Sequence, residues 1–214
     1  SNFLSSISVR SRDFAIQYLE TSDILKPQFN RLVSWFLKFK LLSEDCSKWH
    51  IELNKLRKEY INDLKSCVLD TSAIDLIDGQ LPAIIPRDLN RSIQLFGQFA
   101  DCLRLDSNFL NDSTLRIHRI FYFLHKNDES FEYIQGYDRF VYFSLCISLS
   151  FCLKLELDED SAEAFAYHLA KGFIKNISIA HLVLHPDESI LIMEDLFDFL
   201  KLSSPATAAA FISQ

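Results

Sequence analysis

Turn-forming residues are scarce along this chain, and their scarcity limits the folds that it can adopt. Only four glycines and five prolines occur among its 214 residues. Sandwiches and barrels of β-strands need many turns, which glycine and proline supply more readily than other residues. The chain also lacks the strong alternation of apolar and polar residues that marks half-buried strands. The sequence therefore predicts an all-α fold of long helices.

The spacing of apolar residues supports the same prediction. The clearest pattern runs over residues 47–68, where apolar or aromatic residues recur three or four positions apart, at Trp49, Leu53, Leu56, Tyr60, Leu64 and Cys67. Such a stripe is typical of a helix packed on a core. Similar patterns predict helices over residues 12–20, 29–42, 88–99, 114–126, 140–155, 161–174 and 186–201. The segments Ser43-Glu44-Asp45 and Asp112-Ser113 are suited to cap the helices that follow them. We predict about nine or ten helices in all, with residues 70–86 forming a loop or a series of turns.

Charge and cysteine usage narrow the class of protein. The net charge of −7 argues against a nucleic-acid binder, whose binding face is usually basic. The five cysteines are widely spaced and form no C-x-x-C pair, which predicts reduced thiols rather than a disulfide framework or a zinc site. Residues 140–153 carry no charged side chain, but this stretch is too short to span a bilayer and predicts a fully buried helix. The N-terminus has no secretory signal pattern, so we expect a cytoplasmic protein that does not insert into membranes.

Two short segments carry the most specific information in the chain. The first reads Ile85-Pro86-Arg87-Asp88-Leu89-Asn90-Arg91, and the second reads Tyr133-Ile134-Gln135-Gly136. In this order they resemble the motifs I-x-x-D-x-x-R and Y-x-Q-G of the TBC domain, which is the GTPase-activating domain for Rab-type small GTPases. Upstream, residues 30–37 are similar to the family's opening R-x-x-x-W-x-x-L pattern, and Trp49, Arg57 and Tyr60 follow the spacing of its next helix. Residues 160–173 resemble the stretch after the second motif, so the likeness extends over residues 30–175.

The resemblance implies a specific architecture. TBC domains are all-helical, V-shaped pairs of lobes that hold the GTPase in the groove between them. We therefore expect residues 21–214 to form a TBC-like domain and residues 1–20 to be loosely attached to it. Beyond residue 175 the family's later helices have no recognisable counterpart, which leaves open whether the C-terminal lobe is complete.

The resemblance also gives roles to two residues. Arg91 would be an arginine finger and Gln135 a glutamine finger, both supplied to the nucleotide of another protein. A guanidinium is planar and always charged, so it can compensate the charge that builds on phosphate oxygens, an effect of about 10³–10⁵ in rate. A carboxamide can position the attacking water, because it both accepts and donates hydrogen bonds. The protein would need no cofactor of its own, since the GTPase carries GTP and Mg²⁺.

Other residues of the two motifs would support the fingers and the contact with the GTPase: Ile85, Asp88, Tyr133 and Gly136. Asp88 lies three residues before Arg91, where it can cap the helix or hold the arginine. Tyr133 would anchor the loop by packing. Gly136 would let the backbone beside Gln135 approach a partner closely.

Two alternatives to GTPase activation stay open. The segment Tyr137-Asp138-Arg139 stands where the family usually has small or apolar residues, which favours a catalytically inactive scaffold that binds a GTPase or another partner. If the motifs are coincidental, the chain is instead a helical adaptor unrelated to GTPases. We predict no metal site, because His181 and His185 lack a third ligand and acidic residues 158–160 lack the rest of a calcium loop. A Rab-type partner would bring the protein to endomembranes and into vesicle trafficking.

Overall fold

Helices account for the regular structure of the described part of this protein. The computed structural model describes residues 27–102, 105 and 110–176, all within the first of two compact units, which ends at Asn176. These residues form seven α-helices and one short 3-10 helix, with no strand among them, which confirms the all-α prediction. The helices are α1 (Pro27–Lys38), α2 (Trp49–Ser66), α3 (Ile74–Asp78), α4 (Ile84–Cys102), α5 (Leu110–Lys126), α6 (Tyr137–Lys154) and α7 (Glu159–Asn176). The predicted N-terminal segment 1–20 and the predicted helix over 186–201 lie outside the described residues.

Helix α6 lies at the centre of this helical core. It packs against α1, α4, α5 and α7, most extensively against α7. Between Val141 and Cys152 every side chain except that of Phe143 is buried. The prediction of a fully buried helix from its lack of charge is therefore confirmed for this stretch. No helix in the described ranges is long and apolar enough to cross a membrane.

Helix α2 has the apolar stripe that the sequence predicts. Its residues Trp49, Leu53, Leu56 and Tyr60 are buried, and the helix packs on α7. A 3-10 turn, Cys46–Lys48, leads into it, and the Asp45 carboxylate caps this turn by accepting from the Ser47 backbone N–H at 3.1 Å. Asp45 therefore caps the 3-10 turn and not the α-helix, which begins two residues later than the pattern indicates and whose N-cap residue Lys48 makes no side-chain capping hydrogen bond.

Helix α4 begins earlier than the sequence predicts. Its first residue is Ile84, so Asp88 lies inside the helix and cannot be its cap. Pro86 falls in the first turn, where a backbone N–H would have no helical acceptor, so the helix tolerates the proline. The whole first motif is therefore helical, with Ile85, Asp88 and Leu89 buried and with Arg87, Asn90 and Arg91 exposed.

The predictions for α1, for the start of α5 and for the loop over residues 70–86 were also wrong. Helix α1 ends at Lys38, and Lys40 just beyond it takes a left-handed backbone with φ 58°. Helix α5 already begins at Leu110, so the segment 112–113 lies within the helix and does not cap it. The predicted loop over 70–86 contains the short helix α3, whose Ile77 is fully buried and which packs against α5. Tertiary packing stabilises this short helix, and no local pattern signals it.

A buried carboxylate joins α2, α5 and α7. Glu163 of α7 is fully buried, and its carboxylate accepts hydrogen bonds from Arg116 at 2.7 Å, from Arg119 at 2.8 Å and from the Tyr60 hydroxyl at 2.6 Å. We call these four residues the Glu163 network. The carboxylate charge is compensated by two guanidiniums, which is the condition under which a buried charge is tolerated.

Helix α1 docks on the core through aromatic rings. Trp35 of α1 and Phe39, which directly follows the helix, contact Phe173 of α7, with ring centroids 4.7 and 5.1 Å apart, and Phe140 of α6 stacks on the same ring at 5.6 Å. Gly172 leaves room for this arrangement, because a Cβ there would lie 2.3 Å from Cδ2 of Phe39. Three helices thus meet at Phe173.

Candidate functional site

Helix α4 presents Arg91 at the surface while a buried neighbour holds it. The Arg91 side chain is 64% exposed, and its Nη2 donates to Oδ1 of Asp88 at 2.6 Å. Asp88 lies one helical turn earlier and only 6% of it is exposed. The guanidinium therefore has a fixed anchor on its own helix, and a large part of it is accessible to another molecule.

The same carboxylate also binds the second motif. The Tyr133 hydroxyl donates to Oδ2 of Asp88 at 3.0 Å, across 45 residues of sequence. Tyr133 lies in the connector between α5 and α6, residues 127–136, two positions before the exposed Gln135. Asp88 therefore joins the two motif segments, one oxygen to each. The exposed Arg91 guanidinium and the exposed Gln135 carboxamide therefore belong to two segments that the same carboxylate connects.

Tyr133 is held as a hydrogen-bond donor by its surroundings. Its ring contacts Phe121 and Tyr137 edge-on, with centroids 5.8 and 6.1 Å apart. Burial, the nearby charge of Asp138 and the hydrogen bond to Asp88 hold the pKa of Tyr133 well above its usual value. The hydroxyl therefore keeps its proton at any physiological pH and can keep donating it to Asp88. The predicted packing role of Tyr133 is present, and a hydrogen bond that the sequence did not indicate adds to it.

The connector is fixed at its start by polar contacts to two helices. Asn127 donates to Oδ2 of Asp63 on α2 at 2.9 Å, and Asp128 pairs with Lys175 of α7 at 2.8 Å. Asp128 also accepts from the backbone N–H of Ser130 at 3.2 Å, which closes a turn. The hydrogen bonds from Lys175 and Ser130 lower the pKa of Asp128 to about 2. The segment that carries Gln135 is thus anchored before it reaches the second motif.

Gly136 ends the connector in a conformation that favours glycine. Its φ is 108°, in the left-handed region, and it is the residue from which α6 starts. A side chain at this φ is strained, since L-residues rarely adopt it. A Cβ would also lie 3.6 Å from Nη1 of Arg139, which is ordinary contact, so the backbone angle and not the space requires glycine. This conformational requirement accounts for the glycine without any partner.

Ile85 supports the site from the core. It is fully buried, and it lies in the first turn of α4, three residues before Asp88. Its side chain therefore contributes to the packing of α4, which in turn positions Asp88 and Arg91. The roles that the resemblance gives to Arg91 and Gln135 stay predictions, but both side chains have the exposure that such roles need.

The sequence did not identify a second polar contact beside the site. Ser92 of α4 and Tyr142 of α6 share a hydrogen bond of 2.8 Å between their hydroxyls, and burial raises the pKa of Tyr142 to about 12. Asp138 is almost fully buried next to them and lies 3.6 Å from the Arg139 guanidinium. The usable signal was Tyr142 itself, because a tyrosine on a charge-free helix needs a partner for its hydroxyl.

The described residues offer no metal centre. They contain no group of three or more His, Cys, Asp or Glu side chains that could hold an ion. In the acidic segment 158–160, Asp158 accepts from the Ser161 backbone N–H at 2.8 Å and so caps α7. His181 and His185 lie outside the described residues. Of the side chains around Asp88, those of Arg91 and Tyr133 can donate hydrogen bonds to anionic oxygens, and the carboxamide of the nearby Gln135 can hold water.

Comparison with known proteins adds no relative. No protein-family model matches the chain, and no curated protein or solved structure matches it. The resemblance to TBC domains therefore rests on the sequence motifs of this chain alone.

Proposed function

We propose that this protein accelerates GTP hydrolysis by a Rab-type small GTPase, with Arg91 and Gln135 supplied in trans. One observation carries the proposal: the Asp88 carboxylate accepts from Arg91 with one oxygen and from Tyr133 with the other. The two segments that resemble the TBC motifs are thus in direct contact. Both proposed fingers are exposed, as a group that must reach into another protein's nucleotide site has to be.

In the proposed mechanism, Arg91 stabilises charge on the transferred phosphoryl group. Asp88 engages Nη2, and the guanidinium has further N–H donors on Nε and Nη1 that can reach phosphate oxygens. Because the anchor is buried, less side-chain freedom is lost when the arginine engages the nucleotide. Gln135 would hold the attacking water, accepting with its oxygen and donating with its nitrogen. Asp88 and Tyr133 act as positioning residues.

The proposal includes the architecture and the setting that the resemblance implies. The GTPase would occupy a groove between two helical lobes, and it would bring the protein to an endomembrane. GTP and Mg²⁺ would belong to the GTPase, and this chain would supply side chains only. Its cellular role would be to switch off a GTPase in vesicle trafficking.

Single-turnover GTP hydrolysis by a panel of Rab-type GTPases tests the proposal. The wild-type chain should stimulate at least one of them, and Arg91→Ala should remove a factor of about 10³ or more. Gln135→Ala should also abolish most of the stimulation. Arg87→Ala is the matched control, since Arg87 is an exposed arginine one turn earlier on α4. It should leave the rate within about twofold, as a surface charge outside the site should.

The tyrosine at the junction gives a second readout. Tyr133→Phe keeps the ring and removes only the hydroxyl that binds Asp88, so binding of the GTPase should persist while the maximal rate falls. Equal loss of rate in Arg87→Ala and Arg91→Ala would contradict the arginine-finger mechanism.

An inactive scaffold is the second candidate function. Without a partner, the Arg91 guanidinium is paired with Asp88 at 2.6 Å. A GTPase whose nucleotide cannot replace Asp88 as the partner of this guanidinium would be bound without being activated. Tight binding of the GTP-bound form with no acceleration would select this function. If the folded protein neither binds nor stimulates any GTPase of the panel, a helical adaptor unrelated to GTPases is the function that remains.

A further inference from the structure

A thiol, a phenol and an ammonium converge where α2 ends. The Cys67 sulfur lies 3.4 Å from the Tyr122 hydroxyl and 3.8 Å from Nζ of Lys126, which donates to it. The Lys126 ammonium also lies over the Tyr122 ring, 5.5 Å from its centroid. We call Cys67, Tyr122 and Lys126 the thiol cluster.

The thiol cluster can be reached from solvent. Cys67 is half-buried, and the next residue, Val68, is fully exposed. By contrast, Cys46, Cys146 and Cys152 are buried. Burial raises the pKa of Cys152 well above its usual value, so that thiol is protonated and shielded.

The donors around Cys67 favour its thiolate. Partial burial by itself raises the pKa of Cys67, but the hydrogen bonds from Tyr122 and Leu69 and the charge of Lys126 outweigh it, so the pKa lies below its usual value. Burial and the contact with Cys67 raise the pKa of Tyr122, which therefore keeps its proton and donates it. The thiolate is the reactive form of cysteine, and low-pKa accessible thiols are the ones that oxidants modify.

We propose that Cys67 is a modification site for small peroxides, activated by Lys126 and Tyr122. The thiolate sulfur attacks one oxygen of the peroxide, the S–O bond forms and the O–O bond breaks. The sulfur loses two electrons and becomes a sulfenic acid, while the peroxide is reduced. With hydrogen peroxide, the leaving hydroxide takes up the proton that the thiol lost and becomes water. The same donors that face the thiolate then face the sulfenate oxygen.

This site is independent of the proposed GTPase chemistry, because none of its residues belongs to the contacts around Asp88. Its test uses the full chain alone, treated with hydrogen peroxide at about pH 7 and trapped with a dimedone-type probe. Trypsin releases Cys67 in a peptide of residues 66–87 that holds no other cysteine. Cys67 should be the first cysteine to acquire the probe, and the folded protein should react faster than the same chain unfolded in urea.

Alkylation by iodoacetamide, followed on the same peptide, measures the contribution of the neighbours. Lys126→Met should slow alkylation of Cys67, by about threefold for each tenfold fall in thiolate fraction, because the thiolate that remains is more nucleophilic. Lys126→Arg keeps the charge and should react nearly as fast as the wild type. Tyr122→Phe should also slow the reaction, which gives a second variant should either lysine change disturb the fold. A rate for Cys67 that is the same folded and unfolded, or the same in wild type and Lys126→Met, would overturn the proposal.

Discussion

Replacing Glu163 by glutamine tests whether the buried carboxylate holds the helices together. The side chain keeps its shape but loses its charge, and its amide N–H groups would face the donors of Arg116, Arg119 and Tyr60. Only 11% and 13% of the two arginine side chains are exposed, so both guanidiniums would stay charged in a place with little water. Breaking a buried pair in this way costs about 3–5 kcal/mol.

The contacts of Arg116 place the expected cost at the lower end of that range. Arg116 also pairs with Glu159 at 3.0 Å and with Asp160 at 3.1 Å. These carboxylates are more exposed and keep part of the compensation, so we expect a loss of about 3 kcal/mol for Glu163→Gln. Because domains are stable by only about 5–15 kcal/mol, this loss should lower the urea midpoint markedly.

The matched control for this experiment is Glu159→Gln. Glu159 binds the same guanidinium from the same helix, but 41% of its side chain is exposed, so its removal should cost less than about 1 kcal/mol. Urea unfolding followed by circular dichroism, with the slope m compared between variants, measures both changes. A loss for Glu163→Gln no larger than that for Glu159→Gln would refute the reasoning.

Two further predictions concern packing and acid stability. Gly172→Ala should destabilise the protein by about 1–3 kcal/mol because the new Cβ would overlap the Phe39 ring. Gly97→Ala should instead stabilise α4 by about 0.5–1 kcal/mol, since nothing lies within 4 Å of the new Cβ. Equal urea midpoints for the two variants would contradict this prediction. Burial lowers the pKa of His168 from 6.5 to about 4. Between these pH values the unfolded chain binds a proton that the folded protein does not, so the free energy of unfolding is at its full value above pH 6.5 and falls toward pH 4, by about 3 kcal/mol in all. His168→Gln should flatten the fall in unfolding free energy between these pH values, and an unchanged slope would show that other groups cause it.

The core helices could be predicted because their signals are local. The apolar stripe from Trp49 to Tyr60 repeats at helical spacing. Residues 140–153 carry no charge and are too few to span a bilayer, so burial in the core is the expected place for a helix there. The start of α4 could not be predicted in the same way. In the sequence, Pro86 indicates a break before the helix. In the first turn of a helix, however, a proline removes no hydrogen bond, and the burial of Ile85 favours helix there.

The sequence named the candidate residues but gave no sign of the contact between the two motifs. The resemblance to the TBC motifs indicated Arg91 and Gln135, and the spacing of three residues suggested that Asp88 could hold the arginine, as the ion pair confirms. It gave no sign that Tyr133 donates to Asp88, because that contact depends on how α4 and the connector pack. Glu163 was equally hidden, since a glutamate on a helix is usually solvated and its burial depends on two arginines 44 and 47 positions away.

Because Asp88 binds both Arg91 and Tyr133, neither motif can keep its contacts when it is removed from the other. An isolated α4 peptide would keep an arginine beside an aspartate but lose Tyr133, and an isolated connector would lose the acceptor for its tyrosine. Grafting the site into another helical protein would require α4, the connector and the start of α6 together, because Gly136 sets the direction in which the connector enters α6. Any cut or insertion that lets α4 separate from the connector would break the hydrogen bond between Tyr133 and Asp88 while leaving both motifs in the chain.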